Sequence, residues 1–191
     1  MMKDNPEKIR LFIGSYPDKP VISEDKLTEL SNLFGFPVRF TPKEKLHLTW
    51  KFIGEIPDSK LSEVQEITEE SVQKISEINI SFDKFELWPN KRNPSLLVLC
   101  GSDLTGNATT FHNKLDKNLE KIGVKRENRK FKPHLTVARF KLKQKPEETI
   151  SIPEELIPDS DIAGFSSVSI IKSTLAPKGS IYEVLKNYSA T

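Results

Sequence analysis

The tripeptide His-Leu-Thr occurs twice in this chain, at residues 47–49 and 134–136, and each copy has the same place in a repeated order of predicted elements. In each half, an apolar strand is followed by a helix ending in glycine, a polar or basic link, and a strand that contains the tripeptide. The histidine lies 36 residues after a position in the opening strand, counted from Leu11 and from Val98. Such a repeat predicts two similar lobes related by a pseudo-twofold axis, with the tripeptides facing each other across a cleft.

The elements around the tripeptides alternate between helix and strand. Apolar residues recur at helical spacing in three segments, which are predicted as helices: 25–35, 58–75 and 103–122. Strands are predicted at 9–14, in two pieces within 37–54, and at 78–88, 96–101, 131–142, 165–175 and 180–185. Several of these strands are joined by turns too short for parallel crossovers. The sequence therefore predicts an α+β fold with a mixed or antiparallel sheet, and a Pro-rich connection at residues 146–161.

Length and composition are those of one globular domain spanning residues 1–191, with 29% charged and 36% hydrophobic residues. The single cysteine, Cys100, excludes an internal disulfide and favours a reducing compartment, and the apolar run around it favours a core position. An uninterrupted apolar run of about 18 residues is absent, so we expect no transmembrane helix. The polar N-terminal residues do not resemble a secretory signal. We expect a cytoplasmic protein that is a monomer and has no membrane partner.

The charge of the chain is unevenly distributed. The net charge of +2 does not indicate a nucleic-acid binder. Residues 121–145, however, contain ten Lys or Arg and one Glu, next to the second tripeptide. The sequence favours neither of two interpretations of this basic segment. It is either a solvated surface face or a binding surface for the phosphates of a polyanion.

The tripeptides have side chains suited to phosphodiester cleavage. Residues two apart in a strand share a face, so His47 and Thr49 lie side by side while Leu48 turns into the core, and the second tripeptide repeats this with His134 and Thr136. An imidazole has a pKa near 6.5 and can be an acid or a base at neutral pH. Two imidazoles can divide these tasks, and the two hydroxyls can bind the non-bridging phosphate oxygens.

Other interpretations of the histidines are weaker. A lone histidine in a strand is usually structural, but two copies at equivalent places favour a function. A metal site would need further ligands, and no nearby cysteine or carboxylate completes a usual set around either tripeptide, so we expect no metal. The third histidine, His112, lies in the middle of a predicted helix. We expect it to be a surface or half-buried residue outside the site.

Four segments together resemble the two-histidine phosphoesterase superfamily, specifically its RNA 2′,3′-cyclic phosphodiesterase branch, the LigT-like family. The chain opens with an R-L-F run at residues 10–12 and ends with STLAPKGSIYEVL at residues 173–185. Between them lie LHLTWKFIGEI, residues 46–56, with Trp50 where leucine is usual, and KPHLTVARF, residues 132–140. A bare H-x-T motif is common, but two of them with these flanks and this ending are specific.

The resemblance implies a bilobal α+β fold, in which two pseudo-symmetric lobes of mostly antiparallel sheet with flanking helices surround a central cleft. It implies hydrolysis of a terminal RNA 2′,3′-cyclic phosphate, or of a small cyclic nucleotide, to a 2′-phosphate without metal or cofactor. His47 would protonate the leaving 3′ oxygen and His134 would activate water. Thr49 and Thr136 would bind the phosphate.

The resemblance also assigns three further substrate-binding residues. Arg139 matches an arginine that helps to neutralise the phosphate, although strand alternation places it opposite His134 unless the strand bulges. Phe12 matches an aromatic residue near the nucleobase, and Trp88 lies where the family often has another. Core packing is the alternative for both aromatic residues.

Two other hypotheses remain at this point. A non-catalytic RNA-binding module could have the same fold, although the intact pair of motifs argues against it. An enzyme of this fold could instead cleave another small cyclic phosphate, such as ADP-ribose 1″,2″-cyclic phosphate. A separate nucleotide-transfer motif is missing, so we do not predict RNA ligase activity.

Overall fold

A computed structural model of the chain describes residues 7–34, 38–73, 75–140, 151–153, 156, 162–177 and 179–190. Its helices are α1 (Glu24–Asn32), α2 (Leu61–Val72) and α3 (Asn107–Glu120). Its strands are β1 (Lys8–Ser15), β2 (Val38–Phe40), β3 (Leu48–Pro57), β4 (Asn79–Trp88), β5 (Leu96–Asp103), β6 (His134–Phe140), β7 (Ile162–Gly164), β8 (Ser167–Thr174) and β9 (Ile181–Ser189). None of the helices in these ranges is long and apolar enough to cross a membrane.

The strands form one sheet in the order β7-β4-β5-β6-β3-β1-β8-β9, with β2 paired to β6. Every pairing among the described strands is antiparallel. The two central strands, β3 and β6, share a single residue pair, Leu48 with Leu135. Four strands of the main order lie on each side of this junction, and β2 is an addition at β6, so the α+β class, the antiparallel sheet and the pseudo-twofold arrangement are confirmed.

The two lobes differ from the halves that the sequence repeat suggested. The lobe of β4, β5, β6 and β7 is continuous in sequence, but the lobe of β1 and β3 is completed by β8 and β9 from the other end of the chain. The cause is the burial of β1, in which Leu11, Phe12 and Ile13 are at most 2% exposed. A strand buried in this way needs a neighbour on both edges for its backbone N–H and C=O groups, and β8 is the second neighbour.

The helices support this sheet with apolar faces. In α3, Phe111, Leu115 and Leu119 recur at helical spacing and are at most 1% exposed. The carboxylate of Asp103 accepts hydrogen bonds from the backbone N–H groups of Gly106 and Thr109, at 3.0 and 2.8 Å. Because a helix N-terminus has free N–H groups, this contact fixes where α3 begins, a few residues later than predicted.

Most predicted strands are confirmed, and the differences are local. The final strand pair is β8 and β9, and β9 continues four residues further than predicted, to Ser189. The short strand β7 was missed because it directly follows the Pro-rich segment. Residues 141–150 and most of the predicted connection lie outside the described residues.

Candidate active site

The junction of β3 and β6 brings the two tripeptides together. Leu48 and Leu135 are both fully buried and face each other across the antiparallel pair. In this antiparallel register, His47 lies opposite Thr136 and Thr49 lies opposite His134. All four side chains are on the other face from the leucines. All four line a cleft of about 940 Å³. The predicted convergence of two imidazoles and two hydroxyls is present.

Each imidazole is held in the same way by the backbone. Nδ1 of His47 lies 2.7 Å from the carbonyl oxygen of Lys45, and Nδ1 of His134 lies 2.9 Å from that of Lys132. A carbonyl oxygen only accepts, so Nδ1 must donate its proton in both rings. In the neutral ring Nε2 is then the free acceptor, and in the charged ring Nε2 has a proton to donate. Either ring can therefore be the acid or the base.

Aromatic side chains fix the position of both rings. The His47 ring lies 4.9 Å from the ring of Phe12 and 5.3 Å from that of Tyr182, measured between centroids. The His134 ring lies 4.5 Å from Trp88. These contacts restrict the rotation of each imidazole ring about the hydrogen bond to its carbonyl partner.

A carboxylate supports the His134 side of the cleft. Glu86 accepts a hydrogen bond from Trp88 Nε1 at 2.9 Å and another from Lys132 Nζ at 2.6 Å. The hydrogen bond from Lys132 lowers the pKa of Glu86 to about 2, so Glu86 stays ionised at neutral pH. Glu86 thereby joins the tryptophan that contacts His134 to the lysine whose backbone carbonyl anchors that histidine.

The pKa of both imidazoles is lowered from the usual value. For His47 the main cause is burial, and the positive charge of Arg139 and the neighbouring His134 lower the pKa further against the opposing effect of the Lys45 carbonyl. For His134 the causes are burial and the Lys132 ammonium, opposed by the Lys132 carbonyl. Without an anion in the cleft, both rings are therefore largely neutral at pH 7.

A β-bulge brings Arg139 to the cleft. Thr136 pairs with Val98 and Ala138 pairs with Leu97, so Val137 is an extra residue in β6. Val137 and Ala138 are consecutive buried residues, after which Arg139 is exposed and lines the cleft with Thr136. The expectation that alternation places Arg139 on the opposite face from His134 is thus corrected, for the reason that a bulge resets the alternation.

The structure does not bring Phe12 to the substrate-facing surface. Its side chain is 2% exposed and packs behind the His47 ring, so it supports the imidazole instead of facing a nucleobase. Trp88 does line the cleft, against His134. Two cleft residues that sequence reasoning missed are Phe52 and Tyr182. Tyr182 belongs to the quoted C-terminal motif, which was the available signal.

A buried ion pair between β3 and α3 anchors the basic segment through hydrogen bonds. Lys51 Nζ lies 2.5 Å from Asp116 Oδ1 and donates to the carbonyl of Lys125 at 2.6 Å. Asp116 also accepts from the backbone N–H of Glu127. These contacts hold the segment at the edge of the cleft, which Arg129 and Lys130 line. Residues 141–145 of the basic segment lie outside the described residues.

His112 is buried and lines the cleft, which corrects the expectation of a surface or half-buried residue outside the site. It is 6% exposed, and its ring stacks on Phe131 at 4.4 Å and 20°. Among the residues that the structure describes, no group of three or more His, Cys, Asp or Glu side chains is arranged to hold a metal ion. Cys100 is buried as predicted, and burial raises the pKa of its thiol to about 12, so it is no nucleophile at neutral pH.

Comparison with known proteins identifies the family. The profile of the LigT-like phosphoesterases matches residues 22–98 and 101–182, and the chain belongs to this family. It is 30% identical over 186 residues to the RNA 2′,3′-cyclic phosphodiesterase of Methanocaldococcus jannaschii, covering 94% of this chain and 100% of that protein. It is 32% identical over 183 residues to the protein of the same name from Archaeoglobus fulgidus, covering 93% and 98%.

Solved structures show the same fold. The crystal structure of Escherichia coli LigT complexed with 3′-AMP has a TM-score of 0.73 to this chain at 21% identity, covering 97% of this chain and 99% of that one. The crystal structure of TT0787 from Thermus thermophilus has a TM-score of 0.77 at 20% identity, covering 95% and 98%. The bilobal two-histidine phosphoesterase fold expected from the motifs is confirmed.

Replacing Arg139 tests the electrostatics of the cleft. In an Arg139→Gln variant, the pKa of His47 should rise, because a positive charge that disfavours its imidazolium form is removed. The pKa of His134 should not change. An NMR titration of the histidine ring protons measures both, with Arg10→Gln, an exposed change on β1, as the control. An unchanged or lower His47 pKa in Arg139→Gln would contradict the arrangement.

Proposed function

We propose that this protein hydrolyses the terminal 2′,3′-cyclic phosphate of RNA to a 2′-phosphate, with His47 as the acid and His134 as the base. The observation that carries the proposal is the pair of imidazoles at the β3–β6 junction, each with Nδ1 bound to a backbone carbonyl and Nε2 available for proton transfer. The names of the archaeal relatives and the match to the family profile support the same substrate class.

The reaction is a single displacement at phosphorus. His134 Nε2 accepts a proton from water while the water oxygen bonds to phosphorus, and the bond from phosphorus to O3′ breaks. His47 Nε2 donates its proton to O3′. One water is consumed, the product has a 2′-phosphate and a 3′-hydroxyl, and proton exchange with solvent restores both rings.

The remaining polar side chains stabilise the charge that builds up on the phosphate. Thr49 and Thr136 donate hydrogen bonds to the non-bridging oxygens, each from beside the histidine of the other motif. Arg139 adds a fixed positive charge on the same side of the sheet. Donors that are already in place cost no reorganisation during the reaction, which is why such groups contribute strongly to rate.

The lowered pKa values fit this division of tasks. A base must be neutral to accept a proton, and the burial of His134 keeps it neutral at pH 7. An acid must be charged, and an anionic phosphate beside His47 favours its imidazolium form when substrate binds. Binding of the anionic substrate therefore favours the protonated form of His47, which the free cleft disfavours.

The position of the basic segment favours RNA over a mononucleotide. Arg129, Lys130 and Lys132 line the cleft, and Asp116 and Lys51 keep this segment in place. Several cations at the edge of one cleft suit the additional phosphates of a longer chain.

Removal of either histidine tests the mechanism. His47→Ala and His134→Ala should each lower kcat by about 100-fold or more, because general acid or general base catalysis is lost. Turnover is measured on an oligonucleotide ending in a 2′,3′-cyclic phosphate, with the protein treated with EDTA. Full activity of the double variant would contradict the mechanism, as would activity that is lost in EDTA and restored by Zn²⁺. Turnover of ADP-ribose 1″,2″-cyclic phosphate but not of the oligonucleotide would reassign the substrate.

Neutralising the cleft-lining cations tests RNA binding. Arg129→Ala with Lys130→Ala should weaken oligonucleotide binding and reduce the slope of log K against log salt by about one for each phosphate that the variant no longer neutralises. Hydrolysis of a cyclic mononucleotide should not change. The control is Lys121→Ala, an exposed lysine of the same segment that does not line the cleft. Equal losses on the mononucleotide and the oligonucleotide would show that the segment has no role in binding a longer chain.

A further inference from the structure

Two arginines lie directly opposite each other on neighbouring strands at one end of the cleft. In the antiparallel pair of β2 and β6, Arg39 is the partner of Arg139. Directly opposite residues of such a pair share a face of the sheet, and Arg139 lines the cleft. The neighbours of Arg39 on β2, Val38 and Phe40, pack against the apolar core, so Arg39 faces the other way. Both members of this arginine pair therefore lie on the cleft face.

The charges of the arginine pair are not compensated within the described part of the chain. Neither guanidinium takes part there in an ion pair or a hydrogen bond. Like charges directly opposite each other destabilise a pair of strands. A phosphate bound between them would offset this repulsion, because a guanidinium can donate two parallel N–H groups to phosphate oxygens. The arginine pair therefore has the chemistry of a phosphate site.

The turn before β9 holds Arg39 in place and brings a third cation near it. Gly179 has a φ of 122°, and the guanidinium of Arg39 occupies the space that a side chain at position 179 would take. At the next residue, the carbonyl of Ser180 accepts a hydrogen bond from Lys45 Nζ at 3.5 Å. Lys45 is also the residue whose own carbonyl holds the His47 ring. The cations are therefore grouped at the His47 end of the cleft.

Thr41 lies between Arg39 and the reaction centre. The backbone N–H of Thr41 donates to the carbonyl of Val137 at 2.8 Å, so the pairing of β2 with β6 continues past Phe40. Thr41 lines the cleft, and Arg39, two residues earlier in the same extended segment, is exposed beyond it. Arg39 is therefore at the outer edge of the cleft, where it can contact a phosphate other than the one that is cleaved.

The arginine pair lies at the end of the cleft that the proposed mechanism assigns to the nucleoside. His47 is opposite Thr136, and β2 pairs with the residues of β6 that follow Thr136. In the proposed displacement, attacking water and leaving O3′ are on opposite sides of phosphorus. Because His47 protonates O3′, the ribose lies towards His47. The next phosphate of the RNA is bonded to O5′ of that same ribose.

We propose that Arg39, together with Arg139, binds the 5′-phosphate of the terminal nucleotide, the phosphate next to the one that is cleaved. This inference rests on the proposed function and on His47 being the acid. Arg139 contacts both phosphates, whereas Arg39 contacts the 5′-phosphate alone. Arg129 and Lys130 of the basic segment then contact other phosphates of a longer chain. The protein should therefore prefer a cyclic phosphate whose nucleoside has a phosphate on O5′.

Two cyclic substrates that differ only at O5′ test this assignment. Wild type should hydrolyse adenosine 2′,3′-cyclic phosphate with a 5′-phosphate at a KM about ten-fold lower than the same compound with a 5′-hydroxyl, because a charge-assisted contact is added. Arg39→Gln should abolish this difference by raising KM for the 5′-phosphorylated substrate only. Arg39→Lys should retain part of the difference, because it keeps the charge. Arg10→Gln, a change of an exposed arginine outside the cleft, is the matched control.

Calorimetric binding of the products gives a second readout that does not depend on turnover. Adenosine 2′,5′-bisphosphate should bind wild type more tightly than adenosine 2′-phosphate does, and this advantage should shrink at high salt, which screens exposed charges. In Arg39→Gln the two products should bind equally.

Three outcomes would overturn the inference. Wild type could fail to distinguish the two cyclic substrates, or Arg39→Gln could lower activity on both by the same factor. Arg129→Ala with Lys130→Ala, instead of Arg39→Gln, could abolish the preference, which would place the 5′-phosphate on the basic segment. In all three cases, turnover of the 5′-hydroxyl substrate by wild type would leave the proposed function intact. Wild type that hydrolyses neither substrate nor a cyclic-phosphate oligonucleotide would reject the proposed function together with this inference.

Discussion

The contact between Leu48 and Leu135 is the constraint on which the site depends. It is the single residue pair that joins β3 to β6 in the centre of the sheet. Since both leucines are fully buried, the residues before and after each of them must face the other way. Apolar packing at this one point therefore places two histidines and two threonines in a common cleft. A slip of one residue in either strand would turn the histidine and threonine of that strand towards the core.

Other contacts in the site orient the two imidazoles for proton transfer. Backbone carbonyls two residues before each histidine fix Nδ1 as the donor, and aromatic rings hold the imidazole planes. Burial lowers the pKa of both imidazoles in the free cleft. The β-bulge after Thr136 also turns Arg139 towards the cleft.

Sequence patterns predicted the features of the fold and of the site that depend on local periodicity. The convergence of the two tripeptides, the antiparallel α+β class and the buried Cys100 all follow from alternation, apolar runs and repeats. The β-bulge at Val137 could not be predicted in this way, because an extra residue does not change the pattern of an apolar run. Arg139 could therefore not be assigned to a face. The burial of His112 was missed, and that of Phe12 was left as an alternative, because both depend on partners distant in sequence, Phe131 and Tyr182.

The central claim is that His47 protonates the leaving oxygen and His134 activates the water. A substrate in which sulfur replaces O3′ tests it directly, since a thiolate leaves without being protonated. We predict that kcat of His47→Ala approaches that of wild type on the 3′-thio substrate, whereas His134→Ala stays impaired on both the sulfur and the oxygen substrate. Rescue of His134→Ala instead, or of neither variant, would contradict this assignment.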